Sequence, residues 1–407
     1  MRARLSKPVD GLRAAADPFA AALRLALLAC LGLGLAACTV PTGAGRPAPA
    51  PVPASAPEPA SEPRADDGPP MLALLVPQGA EGGTAARLAD ALAASARLAA
   101  DRAPVRLRIY DTAGQAERAA AMAEQAIAEG ADILLGPLFA ASTAAVGEVA
   151  AGAGIVVLSF SNDSDVAGGP VWVTGYAPER EAARILRHAA AEGLVSVGLF
   201  RPDTAYGDKA ARGAEGSGAA YLSVDTAYER SNKGIERASG AFAAEARAVG
   251  LDAVLLPAGG SELQSAALFI NYNGVDPQQV RFLGTAKWNT RATFDEPSLQ
   301  GGWFAAPDPD LASDYAARYR AAHGQTPPLL AHLGHDAVTV AAAVLEAARG
   351  PDGLRRELLR SRGFDGVLGP LGFAPDQVAD RALAVLEVGS GRFRVREGVA
   401  GPPAGGS

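Results

Sequence analysis

Short apolar runs alternate with alanine-rich amphipathic stretches along most of the chain. The run MLALLVP at 71–77 predicts a buried strand, and the stretch at 84–101 predicts a helix. The same order continues, with further apolar runs at 105–112, 131–139 and 155–162. Continuous apolar strands separated by helices indicate parallel sheets that are covered on both faces.

A second series of the same kind follows residue 176. Its apolar runs stand at 196–202, 221–229, 251–260 and 280–288. Prolines near 178 and 307 interrupt the pattern, which favours extended crossings between two parts of the fold. We therefore predict an α/β fold of two doubly wound parallel-sheet lobes joined by hinge crossovers. Lobe 1 would comprise 71–176 and 309–365, lobe 2 would comprise 177–308 and 366–397, and 398–407 would form a disordered tail.

A basic start and a short apolar run precede this pattern. Such an arrangement is typical of an export signal, and the run at 23–37 is too short and glycine-rich to predict a membrane-spanning helix. The residues Leu35-Ala36-Ala37 before Cys38 match the lipobox of bacterial lipoproteins. This match predicts removal of residues 1–37 and diacylation of Cys38. A plain secretory signal with a cysteine nearby is the alternative.

The segment at 38–70 is rich in proline and alanine. Ten prolines fall within its last 32 residues, a composition that predicts an extended linker without a core. At about 3.1 Å per residue, such a linker reaches roughly 100 Å.

Composition limits the chemistry of the chain. It has 407 residues, a formal charge of −7, two cysteines and four histidines. Loss of residues 1–37 removes five basic and two acidic residues, so the charge becomes −7 − 3 = −10. An acidic chain without a long basic run argues against nucleic-acid binding. His332, His335 and Asp336 are neighbours on one predicted helical face, but no HExxH or GxSxG motif accompanies them. We expect no enzyme activity, no cofactor and no metal.

Polar residues follow several strands at their carboxyl ends, where ligands bind in doubly wound sheets. Ser142 and Thr143 open one predicted helix, and Ser159 and Ser161 follow the run IVVL. Backbone N–H groups and hydroxyls in such positions bind anions, although serine and threonine also cap helices without a ligand. Trp288, at another strand end, is the tryptophan most suited to line a cleft.

Residues 131–165 resemble the Leu/Ile/Val-binding class of type I periplasmic binding proteins, and FRPDTAYGD at 200–208 matches the opening of their second lobe. Within this superfamily the chain is similar to the penicillin-binding protein activator family. That similarity lies in four segments, at 175–185, 252–263, 282–290 and 301–310.

The resemblance implies a set of residues at the cleft between the lobes. Ser142 and Thr143 match first-lobe ligand contacts, and Tyr206 matches a second-lobe residue near the cleft. A second contact loop would hold Ser159, Ser161 and Asp163. Glu262 is the candidate for the acid that holds a ligand ammonium. The loop reads SFSNDSD where amino-acid binders favour Pro, Ala and Thr, and Asp163 would oppose a ligand carboxylate.

The resemblance implies a lipid-anchored outer-membrane lipoprotein that faces the periplasm and acts by binding. Its expected partner is a penicillin-binding protein, whose peptidoglycan synthesis it would raise, and its cleft would hold either a small-molecule ligand or nothing. The alternative is a substrate-binding protein that delivers a branched-chain amino acid or a similar small molecule to an ABC transporter. A hydrolase of envelope polymers is a third reading, supported only by scattered carboxylates.

Overall fold

The computed structural model describes residues 68–360 and 363–399. The predicted signal, Cys38, nearly all of the predicted linker and the end of the predicted tail lie outside the described residues. Within the described part of the chain, no helix has both the length and the apolar character needed to cross a bilayer.

The first lobe is built on a five-stranded parallel sheet with the strand order β2-β1-β3-β4-β5. Its strands are β1 (Met71–Val76), β2 (Arg106–Asp111), β3 (Ile133–Leu135), β4 (Val156–Ser159) and β5 (Val171–Val173). The helices between them are α1 (Thr84–Ala100), α2 (Ala116–Ala128) and α3 (Ala140–Ala153). Separate apolar clusters cover the two faces of the sheet, so every residue of β1, β3 and β4 is buried. The strand order reverses between β1 and β3, which opens a crevice at their carboxyl ends.

The second lobe is built on a seven-stranded sheet with the order β15-β14-β10-β9-β8-β6-β7. Its parallel strands are β6 (Ser196–Pro202), β7 (Tyr221–Tyr228), β8 (Ala253–Leu255), β9 (Arg281–Gly284) and β10 (Trp303–Ala306). The helices of this lobe are α4 (Pro178–Ala191), α5 (Ala205–Gly216), α6 (Asn232–Val249), α7 (Gly260–Tyr272) and the short α8 (Arg291–Phe294). Two antiparallel strands, β14 (Ala384–Gly389) and β15 (Arg392–Glu397), complete the sheet. These two sheets confirm the predicted α/β fold with parallel strands flanked by helices.

A small antiparallel sheet joins the first lobe near the end of the chain. It contains β11 (Phe364–Gly366), β12 (Gly369–Phe373) and β13 (Ala379–Arg381). It follows the helices α9 (Ser313–His323), α10 (His332–Ala347) and α11 (Gly350–Leu358). The predicted return to lobe 2 at residue 366 is therefore corrected to the start of β14. The cause is packing, because the side chains of β12 and β13 belong to the core of the first sheet and only β14 pairs with β10.

Within the described residues, the chain passes between the lobes near 174–177, 306–309 and 381–384. A buried ion pair lies at these crossings, because Arg381 Nη1 is 2.7 Å from Asp336 Oδ2 on α10. Arg381 Nε also donates a 2.7 Å hydrogen bond to the carbonyl of Thr174 on the first crossing. The third crossing is thereby fixed to the first crossing and to the first lobe.

Candidate functional site

A cavity of about 460 Å³ lies between the lobes. Its wall combines residues that follow first-lobe strands, the first crossing and second-lobe residues beyond β9. The cavity therefore occupies the place where parallel α/β sheets bind ligands, beyond the carboxyl ends of the strands.

The first lobe supplies an apolar wall to this cavity. Leucines from α1, from the residues just before α3 and from the segment around the start of α10 contribute, together with two phenylalanines. The set comprises Leu88, Leu138, Phe139, Phe160, Leu329, Leu330 and Leu333. Phe139 keeps 38% of its surface exposed, and Leu329 keeps 44%. Apolar side chains exposed at a concave site favour a ligand that brings an apolar surface of its own.

The second lobe supplies a polar corner built around Glu181. This residue lies in the first turn of α4 and is buried. The Tyr206 hydroxyl lies 3.0 Å from Glu181 Oε2, to which it donates, and 3.0 Å from Thr285 Oγ1. Burial raises the pKa of Glu181 to about 8, although hydrogen bonds from Tyr206 and from the Ala286 N–H oppose this rise. The Glu181 carboxyl is therefore mostly protonated at neutral pH.

Lys287 lies beside this corner and faces the cavity. Its Nζ atom is 3.3 Å from the centroid of the Tyr206 ring, a cation–π distance. Burial lowers the pKa of Lys287, while the charge of Glu262, and that of Glu181 when it is ionised, act to raise it. Among the described residues, no carboxylate oxygen lies within ion-pair distance of this ammonium. The cavity thus contains a cation that no carboxylate of the described residues pairs directly.

Replacement of Glu181 by Gln is expected to remove a pH dependence of stability. The folded-state pKa lies above the ordinary 4.5, so the wild-type folded state binds more protons and loses stability as the pH rises from about 5 to 8. Relative to wild type, Glu181→Gln should gain about 1–3 kcal/mol of unfolding free energy across this range. Urea unfolding at pH 5, 6.5 and 8 measures the difference. The exposed Glu245→Gln should show no such trend, and an equal slope in all three proteins would contradict the prediction.

A buried histidine supports the cavity wall at the first crossing. The Tyr176 hydroxyl donates to His332 Nε2 at 2.8 Å, and His332 Nδ1 donates to the Leu329 carbonyl at 2.7 Å. Burial lowers the pKa of His332 to about 4, so the ring is neutral in this arrangement. The neighbours His335 and Asp336 turn to other partners, Thr339 and Arg381. Nowhere in the described chain do three candidate metal ligands cluster.

The predicted serines and threonine lie behind the first-lobe wall, and none of them lines the cavity. Thr143 Oγ1 and Ser159 Oγ are 2.7 Å apart, and Ser159 also donates to the Pro137 carbonyl. Ser161 Oγ accepts from the backbone N–H of Asp163. Ser142 Oγ is buried without a hydrogen-bond partner among the described residues. Their role as ligand contacts stays a prediction.

Asp163 takes part in ion pairs between the lobes. Lys209 Nζ on α5 lies 2.8 Å from Asp163 Oδ1 and 2.5 Å from Asp165 Oδ2. Arg212, one turn further along α5, contacts Asp165 at 2.9 Å and Glu179 at 3.0 Å. The expected repulsion between Asp163 and a ligand carboxylate is therefore offset by Lys209, and the pairs hold the lobes together on one side of the cleft.

The three second-lobe candidates have different positions. Tyr206 lines the cavity. Glu262 pairs with Arg230 at 3.2 Å and is absent from the cavity wall. Trp288 is fully buried in the core of the second lobe, where its Nε1 donates to the Leu256 carbonyl at 3.0 Å. The prediction that Trp288 lines the cleft is thus corrected, because its ring turns inward from the strand end.

The sequence did not identify several residues of the cavity wall as cleft residues, among them Tyr176, Glu181 and Lys287. Their signal was present, because these residues fall in the segments 175–185 and 282–290 that carry the similarity to the activator family. Without the fold, nothing in those segments indicates which side chains face the cleft.

Comparisons with known proteins agree with this architecture. A family model described as "Periplasmic binding protein" matches residues 73–392. No curated protein matches the sequence of this chain.

Solved structures of similar fold come from several bacteria. A branched chain amino acid ABC transporter periplasmic ligand-binding protein from Burkholderia xenovorans aligns with a TM-score of 0.67 and 15% identity, covering 83% of this chain and 96% of that one. A branched-chain amino acid transporter substrate binding protein from Streptococcus pneumoniae, in complex with isoleucine, aligns with a TM-score of 0.58 and 18% identity. The alignment covers 81% of this chain and 99% of that one. A solute binding protein of an ABC transporter from Rhodopseudomonas palustris, in complex with 3,4-dihydroxybenzoic acid, aligns with a TM-score of 0.58 and 15% identity. The alignment covers 82% of this chain and 98% of that one.

Proposed function

The chain belongs to the periplasmic binding protein family, and we propose that it binds a small molecule in the cavity between its lobes, outside the cytoplasm and without catalysis. In this role it is a substrate-binding protein of the kind that serves an ABC transporter. The observation that carries the proposal is the cavity itself, with its apolar first-lobe wall and its polar second-lobe corner.

The size and composition of the cavity support this role. Ligand pockets commonly measure about 300–1,000 Å³, with mostly apolar linings and a few polar groups that orient the ligand. The cavity has this character. The similar structures named above are transport proteins, and two of them hold a small molecule. Ion pairs from Lys209 and Arg212 already join the two lobes beside the cleft, and a ligand that contacts both lobes would stabilise this same arrangement.

Activation of a penicillin-binding protein is the second candidate. It is favoured by the position of the segments that carry the similarity to the activator family. Those segments supply Tyr176, Glu181, Lys287, Asn289 and Pro307 to the cavity wall. In this role, the predicted lipid on Cys38 and the predicted linker would present the lobes to a peptidoglycan synthase at the outer membrane, and a ligand in the cavity would modulate that contact.

Ligand binding is expected to raise the thermal stability of the purified protein. A ligand at one hundred times its Kd adds about 2.7 kcal/mol to the unfolding free energy, because it binds only the folded state. Thermal unfolding against amino acids, small carboxylic acids and peptidoglycan fragments measures this. Leu329→Trp, which projects into the cavity, should reduce the shift, whereas Leu268→Trp on α7 should leave it unchanged, since Leu268 is exposed and absent from the cavity wall.

Thermal unfolding tests small-molecule binding, and capture from membranes tests which of the two roles the protein has. Absence of any stabilising compound would contradict small-molecule binding, as would a shift that Leu329→Trp leaves intact. Capture from membranes with the purified protein distinguishes the two candidates. Recovery of permease subunits supports the transport role, and recovery of a penicillin-binding protein whose glycan polymerisation rises supports the activator role.

A further inference from the structure

Resting on the proposed small-molecule binding, we infer that the ligand is a monocarboxylate with an apolar body and no ammonium group, and that Lys287 binds its carboxylate. This names a chemical class and a specificity-determining residue for the cavity. It also distinguishes the site from one that accepts free amino acids, the class named in the alternative derived from the sequence.

The Lys287 ammonium has no partner of opposite charge among the described residues. It lies in the cavity wall against the face of Tyr206, and no carboxylate of the described residues is within ion-pair distance. Lys287 as a residue remains exposed to water, but partial desolvation at the cavity wall still penalises its charged form and lowers its pKa. An anionic group on the ligand would remove the penalty.

The two carboxyl groups whose charges affect the pKa of Lys287 already have other partners. Glu181 accepts hydrogen bonds from the Tyr206 hydroxyl and the Ala286 N–H. Glu262 pairs with Arg230 at 3.2 Å. Glu262, and Glu181 when it is ionised, act on Lys287 only through longer-range attraction. The anion that pairs directly with Lys287 therefore comes from the ligand.

An ammonium group on the ligand would have no ionised acceptor in the wall. Glu181 is the single acidic residue among the lining residues described. Its burial favours the protonated form, and its Oε2 already accepts from Tyr206. A ligand ammonium would have to ionise Glu181 in a buried place, beside the cation of Lys287. The site is accordingly selective against zwitterions.

The charge count in the wall favours a carboxylate over a phosphate. Lys287 is the single basic residue among the lining residues described, so it balances one negative charge. A phosphate dianion would keep an uncompensated charge. The apolar wall across the cleft, including Leu138, Phe160 and Leu330, accommodates a hydrocarbon or aromatic body.

Matched pairs of compounds provide the test. Isothermal titration compares 4-methylpentanoate with leucine and 3-phenylpropionate with phenylalanine, each pair differing only in the amino group. Benzoate, benzamide and phenyl phosphate vary the charge of the head group. We expect a desamino acid to bind at least tenfold more tightly than its amino acid, and benzoate to bind more tightly than benzamide and phenyl phosphate.

Variants identify the residue that binds the carboxylate. Lys287→Met should weaken carboxylate binding at least tenfold and benzamide binding less than threefold. Lys287→Gln repeats the loss of charge with a polar side chain in case the methionine variant folds poorly. Lys287→Arg should retain binding. Lys233→Met, at an exposed position on α6, removes the same charge elsewhere and should have no effect.

Different results would contradict the monocarboxylate inference and the proposed small-molecule binding. Tighter binding of leucine or phenylalanine than of the desamino analogues would overturn this inference and leave small-molecule binding standing. Tightest binding of phenyl phosphate, or carboxylate binding that survives Lys287→Met, would also overturn it. If neither these compounds nor the wider panel binds, the proposed function and this inference both fail.

Discussion

Replacement of Arg381 by Met is expected to lower the unfolding free energy by about 3–5 kcal/mol. The Arg381 and Asp336 side chains are both almost completely buried, with Nη1 and Oδ2 at 2.7 Å. Removal of the guanidinium leaves the Asp336 charge in a desolvated place, with the Val367 N–H as its remaining hydrogen-bond donor. The Thr174 carbonyl at the first crossing loses its donor as well. Urea unfolding measures the loss as a lower midpoint.

A double variant separates the value of the pair from the cost of an orphaned charge. Arg381→Met combined with Asp336→Leu should recover much of the stability, because an apolar pair replaces the buried ions. Arg291→Met breaks an exposed pair with Asp295 and should cost less than about 1 kcal/mol. A single-variant loss as small as that of Arg291→Met would show that the buried pair does not hold the crossings.

Replacement of Trp288 by Ala is expected to cost about 3–5 kcal/mol, as for other large core side chains. The ring is fully buried, its Nε1 donates to the Leu256 carbonyl, and its centroid is 6.2 Å from that of Phe304. Two glycines make room for it. A Cβ atom at Gly284 would lie 2.2 Å from the ring, and one at Gly302 would lie 2.8 Å from it. Denaturant unfolding measures the loss.

Two further variants, Tyr221→Ala and Trp288→Phe, serve as controls for the stability loss of Trp288→Ala. Tyr221→Ala removes an aromatic ring that is 78% exposed, and it should change stability by less than about 0.5 kcal/mol. Trp288→Phe keeps part of the packing and should cost less than the alanine variant. Unchanged stability of Trp288→Ala, together with weaker ligand binding, would instead place the ring in the cleft.

The parallel strands of the two large sheets could be predicted from the sequence. Such strands are buried on both faces, so nearly all of their residues are apolar and form a continuous run. The run at 71–77 became β1, Met71–Val76, and the run at 196–202 became β6, Ser196–Pro202. The strands after residue 363 were harder to assign. β12 reads GPLGF, with apolar residues too few to show which sheet it covers, and only its contacts with the first-lobe core decide the matter.

The candidate site could be predicted only in part, because its chemistry depends on side-chain direction. Tyr206 was placed in the cleft through a family resemblance, and it lines the cavity. Glu181 reads as a charge on an amphipathic helix, which ordinarily faces solvent, yet tertiary packing buries it. Trp288 follows a strand end as a cleft residue would, but its ring packs in the core. Gly284 and Gly302 lack the Cβ atoms that would otherwise occupy the space of the ring.

The margins of both large sheets share a feature with consequences for behaviour in concentrated solution. β2 and β15 are outermost strands, and each presents exposed arginines at alternate positions, in RLRIYD and RFRVRE. An outer strand has backbone groups available to pair with another molecule, so it is a starting point for aggregation. Several of these arginines pair with nearby carboxylates, Arg108 with Glu129 and both Arg394 and Arg396 with Glu387. Strand pairing with a second copy would desolvate these charged side chains, so it is unfavourable at these two margins. The arginines of β2 and β15 thus disfavour self-association through these two outer strands.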